Sequence, residues 1–223
     1  MRILLLILCF PFVLLGQETE IFLVGDAGEP HFPNDATLDY LKEASAIAGP
    51  EDIMIFLGDN LYPKGLPPKG DAARQEMEKK LNASLEVMKA FKGKVIMIPG
   101  NHDWQSAGKQ GKEYLMEMQD YVDEYFNDET IFYPRNGCPG PVELVVSDEL
   151  VILIIDTQYL LHPYTIPDGA NECATASLVE VVNQLRDLIR DHSEKHVVVA
   201  AHHPIYSYGS HGGRFPLRSH IFP

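Results

Sequence analysis

Five short apolar segments of the chain end abruptly in polar residues, and none of them alternates between apolar and polar positions. Runs of this length, rich in β-branched and other apolar residues, predict strands that are buried on both faces. The predicted strands are Glu20–Val24, Ile53–Leu57, Val95–Ile98, Val151–Ile155 and Val197–Ala201.

Helical periodicity separates these strands. Apolar residues recur three and four positions apart in three stretches, with charged residues between them, so we expect three helices whose apolar stripes face the core. The stripes are Met77, Leu81, Leu85, Met88 and Phe91; Leu115, Met118, Val122 and Tyr125; and Leu178, Val182, Leu185 and Ile189. An earlier helix is predicted to begin at a cap at Asn34 or Asp35 and to run through Ile47. Strands that alternate with helices predict an α/β layered fold.

The composition is that of one globular domain. The chain has 223 residues, of which 45% are apolar and 22% are charged, which is enough for a sizeable core. The net charge is −14, and no stripe rich in Lys or Arg is present, which argues against binding to a nucleic-acid backbone. An anionic substrate would need local positive charge, and a metal ion would supply it.

The N-terminus has the pattern of an export signal. Arg2 precedes an apolar run from Ile3 to Leu15, and Gly16 follows. The run is too short to span a membrane comfortably, so we interpret residues 1–16 as a cleaved signal peptide; a buried first strand or an anchor helix is the alternative. The mature chain would then be periplasmic, secreted or extracellular and would have no transmembrane span.

Two cysteines remain after removal of this signal, Cys138 and Cys173, and both lie in loop-like sequence. An even pair of loop cysteines in an exported protein favours a disulfide. Two unrelated free thiols are the alternative.

Polar side chains at the strand ends carry the candidate chemistry. Ligands of α/β folds bind beyond the carboxyl ends of the strands, so we expect these side chains to converge. Carboxylate, amide, imidazole and phenol are groups that Fe, Zn or Mn accept, and one carboxylate can bridge two ions roughly 3.5–4 Å apart. The candidates are Asp26; Asp59, Asn60 and Tyr62; Asn101, His102 and Asp103; His202 and His203; and His211.

Four blocks of sequence, in this order, resemble those of the calcineurin-like metallophosphoesterases: VGDAG, GDNLY, GNHD and AHHP. The resemblance implies that family's α/β/β/α sandwich over residues 17–223 and the hydrolysis of phosphoesters. The family's usual first block, Asp-x-His, is Asp26-Ala27-Gly28 here. Purple acid phosphatases also lack that His and use a Tyr three residues after the second Asp, where Tyr62 stands. The sequence is therefore most similar to the small, tartrate-resistant type of purple acid phosphatase. We interpret His31 as a loop residue and not as a substitute for the missing His.

The resemblance implies a ligand set for two metal ions. Asp26 and Tyr62 would bind Fe(III), and Asn101 and His202 would bind a second ion, which is Fe, Zn or Mn. Asp59 would bridge the two ions. A water molecule whose pKa the metals lower would attack a small phosphate monoester. A phosphodiesterase or pyrophosphatase with the same metals is one alternative, and an inactive, metal-poor binding module is another.

Other residues near the motifs receive more limited roles. By resemblance, His102 would contact the phosphate or act as the general acid, and His211 would be a second active-site His facing the substrate. Asp103 is expected to orient His102. His203 is expected to point away from its ligand neighbour, because side chains alternate along a strand. We interpret Asp156 as structural, while Trp104 could line the pocket mouth or pack in the core.

One block of the family is missing from the sequence. A Gly-His-x-His block, in which each His completes one metal, should follow the His202 block, but the sequence around His220 lacks both its Gly and its second His. We expect the sequence to be the N-terminal part of a longer domain, with an incomplete sandwich; a natural truncation is the alternative. For the chain as it stands we expect weak metal binding and low activity.

Overall fold

The strands form two three-stranded sheets in the computed structural model, which describes residues 19–164 and 173–206. The described strands are β1 (Ile21–Val24), β2 (Ile53–Phe56), β3 (Lys94–Met97), β4 (Val142–Val145), β5 (Leu150–Ile154) and β6 (His196–Ala200). The described α-helices are α1 (Ala36–Ile47), α2 (Arg74–Ala90), α3 (Gly111–Phe126), α4 (Thr157–Leu161) and α5 (Leu178–Asp191). The predicted signal peptide over residues 1–16 and the predicted active-site His211 lie outside the described residues.

The first sheet is parallel throughout, in the order β1-β2-β3. Ile21 pairs with Ile53, and Ile53 pairs with Lys94, so the carboxyl ends of the three strands meet at one edge. In the second sheet β4 is antiparallel to β5, and β5 is parallel to β6. The ends of β5 and β6 therefore also lie side by side, which places the polar residues that follow them near each other.

Two apolar cores explain why the strands show no alternation. Ile53 and Ile55 of β2 pack between the two sheets against Ile152 and Ile154 of β5. The intervening residues of β2 face a second core, which α1, α2 and α3 cover with their apolar stripes. Both faces of β2 are thus buried, as its continuous apolar run predicts. The same prediction is wrong for β1 and β6, where Leu23 is 58% exposed and Val199 is 43% exposed. The predicted α/β class is confirmed, and the layers form an α/β sandwich.

Local sequence signals explain where the helices begin. The Oδ1 of Asp35 accepts a hydrogen bond of 2.9 Å from the backbone N–H of Leu38, which identifies Asp35 as the cap of α1. Ser177 and Glu180 form a reciprocal capping box at the start of α5. Among the described strands and α-helices, β4 and α4 were not predicted: Glu143 interrupts the apolar run of β4, and the five residues of α4 are too few to show a helical period.

The predicted core stripe of α5 is wrong in large part. Leu178 is 59% exposed, Val182 is 50% exposed and Ile189 is 42% exposed, whereas Val181 is buried. The buried face of α5 is thus shifted by one residue from the predicted stripe. Within residues 19–164 and 173–206, nothing covers the apolar face that the prediction placed in the core.

A disulfide joins Cys138 and Cys173, whose Cα atoms are 5.5 Å apart. The predicted disulfide is therefore confirmed, and the alternative of two free thiols is wrong. The bond ties the segment before β4 to the segment before α5. Among the described residues, no helix has the length and apolar character needed to cross a bilayer.

Candidate metal centre

The ends of four strands deliver polar side chains to one cavity of about 750 Å³. Asp26 follows β1, Asp59 follows β2, Asn101 follows β3 and His202 follows β6. All four line this cavity, together with Tyr62. The five predicted metal ligands are thus brought together, as the convergence of strand ends predicts.

Two glycines allow these loops to approach each other closely. Gly58 has a φ of +96°, and a Cβ there would lie 2.7 Å from Nδ1 of His202 and 2.7 Å from the backbone N of Gly100. A Cβ on Gly100 would in turn collide with the backbone N and the carboxylate of Asp59. Any larger residue at either position would push the ligand loops apart.

Tyr62 lies between two carboxylates. Its Oη is 2.9 Å from Oδ1 of Asp26 and 2.9 Å from Oδ2 of Asp59, and its one hydroxyl hydrogen can bond to either of them. Burial raises the pKa of Tyr62, and the two hydrogen-bonded carboxylates raise it further. A cation at this point would reverse that effect, because it favours the phenolate.

His202 presents a lone pair to the cavity. Its Nδ1 lies 2.9 Å from the carbonyl oxygen of Leu57, which can only accept, so Nδ1 carries a hydrogen. In the neutral ring Nε2 is then an acceptor, and it lies 3.1 Å from Oδ1 of Asn101 and 3.5 Å from Oδ1 of Asp59. Three potential ligand atoms therefore lie close together.

This donor set fits a metal ion. One ligand atom each from Asp26, Asp59 and His202 lie within 4.8 Å of one another. Mixed carboxylate and imidazole ligands suit transition-metal ions such as Fe, Zn and Mn. The carbonyl bond at Nδ1 of His202 is also the arrangement that orients a metal-ligating His.

His102 is held beside the predicted metal ligands by two contacts. Its backbone N–H donates a hydrogen bond of 2.8 Å to Oδ1 of Asp59. Its Nδ1 lies 2.6 Å from the carbonyl oxygen of Pro63 and donates to it, so Nε2 is left for the cavity. His102 lines the cavity, and its Nε2 is 3.9 Å from Oδ2 of Asp59. It is thus placed to exchange a proton with a bound molecule.

Asp103 has a different role from the predicted one. Its buried carboxylate accepts hydrogen bonds from the backbone N–H groups of Gly100, Asn60 and Leu61 and from the side chain of Asn60. The partner of the His102 ring is Pro63 instead. Burial raises the pKa of Asp103 to about 7, although the backbone bonds oppose this shift. Asp103 therefore connects the two ligand-bearing loops.

Asp156 and Trp104 form a buried pair, which confirms the structural interpretation of Asp156. Nε1 of Trp104 donates to Oδ2 of Asp156 at 2.8 Å, and Oδ1 of Asp156 accepts from the backbone N–H of Gln158 at the start of α4. Trp104 is fully buried, so it packs in the core and does not line the pocket mouth.

Two residues of the cavity were missed or misplaced by sequence reasoning. His203 was expected to point away, but it follows the end of β6, where strand alternation no longer applies, and it lines the cavity. Its Nδ1 lies 2.7 Å from Oγ1 of Thr157. Gln158 also lines the cavity, and its signal was its position just after the fifth strand end. His31 is exposed in a loop, as expected.

Comparison with known proteins agrees with this geometry. A family model described as calcineurin-like phosphoesterase matches residues 20–221. A comparison with curated proteins finds no match. The matched residues cover most of the chain and include every ligand-bearing strand end described above. The chain belongs to the calcineurin-like phosphoesterase family.

Proposed function

We propose that the chain hydrolyses small phosphate monoesters with two metal ions, as purple acid phosphatases do. Its family makes it a metal-dependent phosphoesterase; the monoester preference and the two-metal centre with iron are the further step. The observation that carries this step is the position of Tyr62, whose Oη lies 2.9 Å from both Asp26 and Asp59. A phenol at this point can replace the imidazole that the block around Asp26 lacks.

In this proposal the carboxylate of Asp59 would bridge the two ions. Its Oδ2 faces Tyr62, while its Oδ1 lies 3.5 Å from Nε2 of His202. Asp26 and Tyr62 would hold Fe(III) on one side, and Asn101 and His202 would hold Fe, Zn or Mn on the other. Asp59 itself is 3% exposed, so protein contacts restrict its orientation.

The residues around the metals have distinct tasks in this proposal. Bound metal ions would lower the pKa of water and neutralise charge on the phosphoryl oxygens. His102 would give a proton from Nε2 to the leaving oxygen, since its Nδ1 is held by Pro63. His211 would be a second His facing the substrate, by the family resemblance alone.

Export is part of the proposal. The pattern of residues 1–16 is that of a signal peptide, and residues 17–223 would be the mature domain. The disulfide between Cys138 and Cys173 supports this placement, because such bonds persist in oxidising compartments. The substrate would then be a small phosphorylated molecule met outside the cytoplasm.

Turnover of two esters of one chromogenic phenol tests the proposed reaction. With excess iron and zinc supplied, we expect hydrolysis of p-nitrophenyl phosphate to exceed that of bis(p-nitrophenyl) phosphate. Asp59→Asn should abolish it, whereas Asp148→Asn, at an exposed position outside the cavity, should not. Faster hydrolysis of the diester, or of pyrophosphate as a third substrate, would show that the protein is a phosphodiesterase or a pyrophosphatase and not a monoesterase. No turnover of any of the three in the metal-supplied chain would favour a binding module.

A further inference from the structure

Thr157 holds the loop that follows β6 through a single hydroxyl group. Its Oγ1 lies 2.7 Å from Nδ1 of His203 and accepts a hydrogen bond of 3.3 Å from the backbone N–H of the same residue. A hydroxyl can make both bonds, because it has one hydrogen and two lone pairs. The backbone bond involves the peptide group that joins His203 to His202, so Thr157 also restrains the backbone of the neighbouring predicted metal ligand.

The two adjacent imidazoles also contact each other. The ring of His203 meets the ring of His202 edge to face, with the centroids 4.8 Å apart and the planes inclined by 77°. Nδ1 of His202 bonds to the carbonyl oxygen of Leu57. The ring of His202 is thus restrained by one hydrogen bond and by packing against His203, while its Nε2 lies beside Asn101 and Asp59.

Buried contacts anchor Thr157 itself. It is the first residue of α4, which Asp156 caps by accepting from the backbone N–H groups of Gln158 and Tyr159. Asp156 is buried, and its other oxygen accepts from Nε1 of the fully buried Trp104. The hydroxyl is therefore carried by an element that is fixed to the core, and it gives the loop after β6 a rigid support.

We propose that Thr157 is a positioning residue of the candidate metal centre: by holding His203, it orients the imidazole of His202 toward a metal ion. This rests on the proposed function only in that the cavity holds a metal ion. One ligand atom of His202 lies in a compact cluster with those of Asp26 and Asp59, so a change in the direction of the ring would remove Nε2 from this cluster. Loss of the groups that support a metal-binding imidazole lowers metal affinity for this reason.

Binding of Zn²⁺ alone to the full chain tests the role of Thr157 without requiring turnover. Thr157→Val removes the hydroxyl and nearly keeps the shape of the side chain, so we expect the Zn²⁺ Kd to rise about tenfold, as loss of such a support implies. Thr157→Ser keeps the hydroxyl and should restore the Kd. Thr37→Val, at an exposed position in the first turn of α1, is the matched control and should leave the Kd unchanged.

The visible spectrum of the Co²⁺-loaded chain separates a positioning role from a purely stabilising one. The absorption bands of Co²⁺ depend on the geometry of its ligands, so Thr157→Val should shift them relative to the unsubstituted chain. Thr157→Ser and Thr37→Val should leave the bands in place. A change that only lowered the stability of the fold would not move these bands in the folded, metal-loaded protein.

The remaining outcomes overturn the assignment in separate ways. An unchanged Zn²⁺ Kd with an unchanged Co²⁺ spectrum in Thr157→Val would show that Thr157 only stabilises the fold. Equal weakening of Zn²⁺ binding in Thr157→Ser would assign the effect to the methyl group and not to the hydroxyl. Failure of the proposed function would show separately in the unsubstituted chain, as Zn²⁺ binding without turnover of any ester.

Discussion

Nε2 of His202 lies 3.1 Å from Oδ1 of Asn101, and in the neutral ring no hydrogen lies between them. The ring hydrogen is on Nδ1, where it bonds to the carbonyl of Leu57. Oδ1 of Asp59 lies 3.5 Å from the same nitrogen. A cation among these three atoms would be coordinated by all of them.

Metal ions should therefore stabilise the folded chain. A ligand that binds only the folded state at about 100 times its Kd raises the free energy of unfolding by about 2.7 kcal/mol. We expect added Zn²⁺ or Fe to raise Tm and a chelator to reverse the rise. His202→Ala should remove this response, while His196→Ala, at an exposed position of β6, should keep it. An equal Tm rise in His202→Ala would place the metal elsewhere.

Tyr62 should give a ferric form of the protein its colour. A phenolate bound to Fe(III) absorbs visible light through charge transfer from oxygen to iron, so the iron-loaded chain should be coloured. Tyr62→Phe should be colourless, and Tyr40→Phe, an exposed tyrosine outside the cavity, should retain the band. A visible absorption spectrum at known iron content is the measurement. A colourless chain with full iron content would remove Tyr62 from the ligand set.

Gly58 and Gly70 form a matched pair for testing the close approach of the ligand loops. Their φ angles are +96° and +97°, but a Cβ on Gly58 would meet Gly100 and His202 at 2.7 Å, whereas a Cβ on Gly70 would meet nothing within 4 Å. Gly70→Ala should cost about 1–2 kcal/mol of stability from backbone strain alone. Gly58→Ala should cost more than this and should also weaken metal binding. Equal losses of unfolding free energy in the two variants, measured by urea unfolding, together with equal metal content would contradict the role of Gly58 in the close approach of the loops.

The disulfide should stabilise the domain through its effect on the unfolded chain. Cys138 and Cys173 are 35 residues apart, and closing a loop of that length is worth about 4 kcal/mol in the chain-entropy account. We expect the double variant Cys138→Ser, Cys173→Ser to unfold at a lower urea concentration, with a free energy of unfolding that is lower by roughly 2–4 kcal/mol. A reductant should shift the unsubstituted protein toward the double variant and leave the latter unchanged. A reductant that shifts both would point to another cause.

Asp156 should make stability fall as pH rises. Burial raises the pKa of Asp156 from 3.8 to about 7, against the hydrogen bonds from Tyr159, Trp104 and Gln158. The folded state keeps this proton up to about pH 7, whereas the unfolded chain releases it near the ordinary value. The stability that Asp156 contributes to the folded state is therefore full below the pKa of its carboxyl group in the unfolded chain. It is lost as pH rises through the pKa of that group in the folded state.

Asp156→Asn isolates this contribution, because the amide does not titrate. Between the two pKa values, the stability of the original chain relative to the variant should decline by up to about 1.4 kcal/mol per pH unit. Urea unfolding of the metal-free proteins across this range is the measurement. Parallel stability curves for the two proteins would show that Asp156 is ionised throughout.

Much of the fold could be predicted because its signals are local. The strand from Ile53 and the helix capped by Asp35 depend on apolar runs and capping residues within a few positions. The α5 stripe failed because periodicity identifies an apolar face without saying what will cover it. β4 was not predicted because Glu143 interrupts its apolar run, and α4 was not predicted because five residues cannot establish a helical period.

By itself, the sequence determined the strand ends and the polar side chains that follow them, since hydrophobic burial fixes where each strand stops. Asp26, Asp59, Tyr62 and Asn101 could therefore be assigned to one site before any contact was known. Only the tertiary structure decided which groups meet: His202 contacts the carbonyl of Leu57, 145 residues away in the chain. It likewise gave Asp103 its backbone partners and brought the hydroxyl of Thr157 to His203. Hydrogen bonds depend on distance in space and not on spacing in the chain, so no sequence pattern encodes these pairings.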